Sequence, residues 1–172
     1  MAYRNKTYVA FDSKDINYYR LMEAWRDRDN IDFDFIDAHD INVALDTSQP
    51  ETIRKRLRER LNNTKQVVAL VSDTSEAKSA RSSSFLYYEI ETISSLGLPV
   101  VFANINGSRG VQKSKLPKTL IEHYTVSVSF QAKIIQHALD NYVVDYGKNL
   151  TSQAPKKGPH LYAESVYKSL NL

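Results

Sequence analysis

A parallel α/β sheet of five strands, with helices on both faces, is the architecture that this 172-residue chain predicts. Short apolar runs recur along its length, "KTYVAF", "QVVALVS", "PVVFANI" and "YTVSVSF" among them, and each has the length of a buried strand. Between them lie longer stretches in which apolar residues return every three to four positions, as on one face of a helix. The two kinds of segment alternate from end to end, which is what parallel strands joined by helical crossovers require. The topology is therefore expected to be flavodoxin-like.

Taken in order, "KTYVAF" is the first strand. In "DSKD" after it, Asp12 or Ser13 is placed to cap a helix over about residues 15–28. That helix is expected to bury Ile16, Leu21, the surroundings of Trp25, and Tyr19 or the stem of Arg20. "IDFDFID" alternates strictly, as a half-buried strand does, and ends at "DAHD". Ser48-Gln49-Pro50-Glu51 has the form of a capping box with proline in the first turn, and Ile53, Leu57 and Leu61 then repeat every four residues. "QVVALVS" is a third, fully buried strand. The helix in "SFLYYEIETISSLG" is closed by Gly97 and Pro99, and "PVVFANI" is the fourth strand. A polar loop, "NGSRGVQKSK", and a short helical piece near 116–123 lead to the last strand, "YTVSVSF", and to a helix over about 131–146. Residues 1–147 thus read as one α/β domain. Residues 148–172 read as a linker and short tail, with "LYAESVYKSL" forming a terminal helical turn or two.

Composition removes several function classes. There are no cysteines, which excludes disulfides, cysteine nucleophiles and thiolate metal sites and fits a reducing compartment. His39, His123, His137 and His160 are scattered without metal spacing, so no metal site is expected. A net charge of +3 demands neither nucleic acid nor an anionic membrane. No apolar run approaches the roughly 18 residues of a membrane helix, and "MAYRNK" leads straight into a strand. A cytoplasmic protein is expected.

Glu89 is the residue that asks for an explanation. On a helix it falls inside the arc of Phe85, Leu86, Ile90, Ile93 and Leu96, whereas Glu91 faces the other way. A carboxylate on an apolar face is costly unless it is paired, hydrogen-bonded or lining a cavity. Pairing with one of the many arginines, or reaching water at the rim of the stripe, would account for it. So would a crevice. In open α/β sheets ligands bind beyond the carboxyl ends of the strands. Those ends carry Asp12, Ser13 and Asp15, then Asp37–Asp40, then Ser72 and Asp73, then Asn104 and Asn106, and the first turns of the Glu89 helix project toward the same edge.

Other chemistries are demoted. The chain has no G-x-G-x-x-G and no Walker-type loop, and only five glycines. Ser72 in "LVSDTS" is not in a nucleophile elbow. A phosphoacceptor receiver would place acids where Asp12, Asp15 and Asp73 stand, but it also needs a lysine at the end of the last strand, and "SVSFQA" supplies none. "IRKRLRERL" reads as a solvated helix face with Arg–Glu pairs rather than a nucleic-acid surface. His39, a loop histidine between two acids at the candidate crevice, stands where it can contact a ligand.

With these pieces assembled, the chain resembles the TIR-like domains of bacterial Thoeris antiphage systems, on the sensor side of the system rather than the effector side. The resemblance lies in "YVAFDSKD", "FDFIDAHD", "LNNTKQVVALVSDTS" and "FLYYEIETISSLGLPVVFANING", which together cover roughly residues 6–107. It implies an enzyme that cleaves NAD+ as its substrate, with no cofactor. The glutamate that TIR enzymes need in the helix after the third strand falls on Glu89, within Phe85-Leu86-Tyr87-Tyr88-Glu89-Ile90. Phe85 stands where the family pattern often has Trp, which alters the pocket wall. The resemblance further implies that Phe11, Asp12, Ser13, Asp37, Ala38 and His39 border the nucleotide. The product would be ADP-ribose or a cyclic isomer that signals to a separate effector protein, with self-association on activation and a phage-derived trigger.

Nicotinamide departs without help from an acid, so the chemistry chiefly requires stabilising positive charge at the ribose anomeric carbon, which one carboxylate can do. Two alternatives stand beside this reading. One is a non-catalytic TIR-like module that only self-associates. The other is a transferase in which the carboxylate attacks a nucleoside.

Overall fold

The computed structural model describes residues 6–28, 34–36 and 49–172. Among these residues the strands are β1 (Lys6–Ala10), β2 (Asp34–Ile36), β3 (Gln66–Val71), β4 (Val100–Asn104), β5 (Thr125–Ser129) and β6 (Pro159–Leu161). The α-helices are α1 (Ile16–Arg26), α2 (Pro50–Leu61), α3 (Ser75–Ser79), α4 (Phe85–Leu96), α5 (Ala132–Asn149) and α6 (Glu164–Ser169). The strands form one sheet in the order β2-β1-β3-β4-β5-β6, and every neighbouring pair is parallel.

The expected flavodoxin-like α/β fold is present, with six strands rather than five. The sixth comes from the segment read as linker and tail. β6 pairs with β5 from Thr125 opposite Pro159 to Ser127 opposite Leu161, and α6 buries Tyr167 completely.

Strand periodicity sorts the core into two layers. Tyr8, Ala10, Val67, Ala69, Val71, Val100 and Phe102 point to one face and pack with Ile53, Leu57 and Leu61 of α2 and with α4. Val9, Phe11, Val68, Leu70, Val101, Ala103, Val126 and Val128 point to the other, against α1, α5 and α6. Strands buried on both faces lose the alternation of a half-exposed strand, which is why β3 is apolar almost throughout.

The helices show where local signals held and where they did not. Gly97 ends α4 in the left-handed region at φ 62°, donating its N–H to Ile93 and Ser94 carbonyls. Asp12 caps a single 3-10 turn, Ser13–Asp15, accepting from the Lys14 N–H, and the α-helix begins only at Ile16. The buried face of α1 is carried by Tyr19 and Met22, three positions apart, which turns Leu21 outward at 45% exposure. At α2 the N-cap is Gln49, without a side-chain cap, and Pro50 opens the helix. Ser48, the expected capping residue, lies outside the described residues.

Candidate functional site

Glu89 sits in the second turn of α4 and is 1% exposed. Its partner is not an arginine. The Tyr8 hydroxyl on β1 donates to Glu89 Oε1 at 2.6 Å, while Oε2 is buried with no hydrogen-bond partner. Burial pushes the carboxyl up to about 8, against a smaller opposing pull from the Tyr8 hydrogen bond. Near neutral pH the group is therefore mostly a neutral acid. Glu91, facing outward, pairs instead with Arg54 on α2 at 2.8 Å.

Depth explains the burial. Tyr8 stands two residues before Ala10, the last residue of β1, so at about 3.3 Å per residue it lies about 7 Å below the carboxyl end of that strand. Glu89 is held at that level, and the expected crevice lies one helical turn nearer the edge. There Phe11, Asp12 and Ser13, with Lys78, Ser83, Ser84, Phe85 and Leu86, line a cavity of about 200 Å³. Phe85 and Leu86 belong to the turn of α4 that precedes Glu89. Asp12 is fixed in that wall, 3% exposed, by the Thr74 hydroxyl donating to Oδ2 at 2.6 Å.

The strand-end residues do not gather in one place. Asp15, Ser72, Asp73 and Asn106 line a different cavity, of about 390 Å³, with Lys14, Tyr18 and Lys115. The Asp12–Thr74 hydrogen bond joins the walls of the two, since Asp12 lines the smaller and Thr74 the larger. Asn104 is buried beneath the loop after β4, donating to the carbonyls of Ser108 and Gly110. Asp37, Ala38 and His39 lie outside the described residues. Among the described residues no cluster of three or more His, Asp or Glu side chains could hold a metal ion. Nor is any helix among them long and apolar enough to cross a membrane.

Comparison with protein families now adds its finding: residues 8–110 match the model for the Thoeris protein ThsB, TIR-like domain. The chain belongs to that family. The match begins at Tyr8 and takes in Glu89, both cavities except Lys115, and the loop after β4 as far as Gly110. As a ThsB TIR-like protein the chain is a module of Thoeris antiphage defence. β5, β6, α5 and α6 lie beyond the match.

Tyr8 is the residue that sequence reasoning missed. A tyrosine in an apolar strand advertises only packing, and its partner is 81 positions away. Lys78 was missed for a related reason, because α3 is a five-residue helix with no apolar period to announce it.

Proposed function

We propose that the chain cleaves the bond between nicotinamide and ribose in NAD+ and releases an ADP-ribose-type signalling nucleotide, with Glu89 as the catalytic carboxylate. Phe11, Asp12 and Ser13 border the nucleotide, as do Asp37, Ala38 and His39 in this reading. The observation that carries the reading is the Glu89 carboxyl held by one hydrogen bond, with its second oxygen unpartnered, one turn from the cavity of Phe11, Asp12 and Ser13. Nicotinamide leaves with the bonding electron pair, and the ribose carbon becomes cationic. An ionised Glu89 stabilises that cation electrostatically. Capture by water gives ADP-ribose and a proton; capture by a hydroxyl of the same molecule gives a cyclic product and a proton.

A neutral acid does not supply that stabilisation, so the working state is one in which Glu89 has lost its proton and meets the substrate. Self-association, with a phage-derived trigger, is the proposed route to that state, and a separate effector protein reads the product. The test is mass spectrometry of small molecules from cells expressing the chain or its Glu89→Gln variant, with and without phage. An ADP-ribose species seen only with Glu89 supports the enzyme. Its equal presence with Glu89→Gln defeats the assignment.

One observation favours a second reading, the non-catalytic module. Glu89 is 1% exposed and lines neither of the strand-end cavities. Concentration-dependent assembly, with no nucleotide product under any challenge, is the outcome that reading requires.

A further inference from the structure

The larger cavity, about 390 Å³, lies between the β1–α1 turn and the carboxyl ends of β3 and β4, and Glu89 is not part of it. Its chemistry is mixed in an ordered way. Asp15 is 6% exposed, and its Oδ2 has no hydrogen-bond partner. A buried acceptor left without a donor costs free energy that a ligand hydroxyl would recover. Lys14 and Lys115 also line the cavity, and among the described residues Lys115 pairs with Asp73, whose own side chain is 88% exposed and free to turn to water. Such a pairing is easily exchanged for a phosphate. Tyr18 is held edge-on by Phe130 at 5.3 Å between ring centres and stays 36% exposed, and Ile105 adds apolar surface.

We propose that this cavity is a second ligand site and takes a nucleoside monophosphate, with the ribose hydroxyls on Asp15, the phosphate on Lys14 and Lys115, and the base along Tyr18 and Ile105. The two lysines argue against an organic cation, and Asp15 and Asp73 argue against a bare anion. A sugar phosphate bearing a flat base satisfies both. The size agrees, since cavities of about 300 Å³ and upward hold such ligands. The position agrees as well, beyond the carboxyl ends of parallel strands. The proposal does not rest on NAD+ cleavage, and the ligand is either a free mononucleotide or the matching half of a larger one.

Calorimetric titration of the full chain with AMP tests it, together with backbone amide NMR to locate the ligand. AMP is expected to shift the amides of residues 72–74 and 105–106. Lys115→Ala and Tyr18→Ala are each expected to weaken AMP about tenfold, the loss of one charge-assisted or stacking contact. The 2′,3′-dideoxy analogue is expected to bind about tenfold more weakly than AMP, a difference that shrinks in Asp15→Asn. Lys115→Ala removes only an ion pair with an exposed partner, so it keeps the test sound if Asp15→Asn fails to fold. NAD+, titrated into Glu89→Gln so that turnover cannot consume it, separates the sources: shifts at the same amides name the shared moiety, and shifts from AMP alone name the free mononucleotide. Shifts confined to residues 83–86, no shifts at millimolar AMP, or an affinity indifferent to Lys115 and Tyr18 would overturn the proposal.

Discussion

Two buried tyrosines, one on each face of the sheet, are held in opposite ways. On the α5 face, Tyr142 donates to the Tyr124 carbonyl at 2.8 Å and accepts from the Val100 N–H at 3.1 Å, so that it ties the starts of β4 and β5 to the helix. On the α4 face, Tyr8 spends its hydroxyl on a carboxyl group whose other oxygen has nothing. The first arrangement is closed: every polar atom finds a fixed backbone partner, and nothing in it titrates near neutrality. The second is open, and its protonation changes within the range that cells and assays visit. A core that only needed stability would have repeated the Tyr142 arrangement, so the Tyr8–Glu89 pair is where a function is to be sought.

The largest expected effect that sharpens the contrast is on catalysis. Glu89→Gln preserves shape and removes charge, and NAD+ turnover, assayed on purified protein, is expected to fall at least about 100-fold. In the native chain, turnover is expected to climb with pH toward the value near 8 at which Glu89 ionises.

Next comes stability against pH. The folded carboxyl titrates at about 8 and the unfolded one at 4.5, so between those values the native state holds a proton that the unfolded state lacks. The contribution is complete below pH 4.5 and is lost as pH rises through about 8, a difference on the order of a few kcal/mol. Denaturant melts at pH 5 and pH 9 measure it. Glu89→Gln is expected to flatten the dependence, matching the native chain at pH 5 and exceeding it at pH 9. A native chain equally stable at both values would contradict the buried, neutral acid.

Breaking the closed arrangement comes third. Tyr142→Phe strands a buried N–H and a buried carbonyl at once and is expected to cost about 2–3 kcal/mol by chemical denaturation, with no sensitivity to pH between 5 and 9. Tyr8→Phe is smaller, about 1–2 kcal/mol, because its partner can keep its proton. The same substitution is expected to raise the Glu89 titration further, since the lost hydrogen bond was favouring the ionised form. Least of all is Arg54→Ala, which removes an exposed pair with Glu91 and should leave the melting temperature within experimental scatter.

The sequence makes one half of this contrast readable and hides the other. β1, β3 and β4 could be read because strands buried on both sides are nearly continuous apolar runs, and β5 because its valines recur at every second position. α2 and α4 could be read because Ile53, Leu57 and Leu61, or Phe85 to Leu96, repeat at helical spacing. Glu89 stood out because it broke such a repeat. Its depth did not, since depth depends on how far α4 slides along β1, and no local pattern encodes that. The division of the strand ends into two cavities was hidden for the same reason: it turns on the contact between Asp12 and Thr74, 62 positions apart. β6 was unreadable because "PHL" is three residues, opens with proline and is mostly exposed.

That short strand has a consequence for how copies of the molecule can meet. Without it, β5 would end the sheet, five residues long and alternating Val with Ser and Thr, with a row of free amide and carbonyl groups facing outward. Such an edge invites a strand from a neighbouring molecule. β6 occupies it and offers in its place an outer margin only three residues long, too short to template another strand. The tail thus acts as a guard against sheets fusing edge to edge on this side.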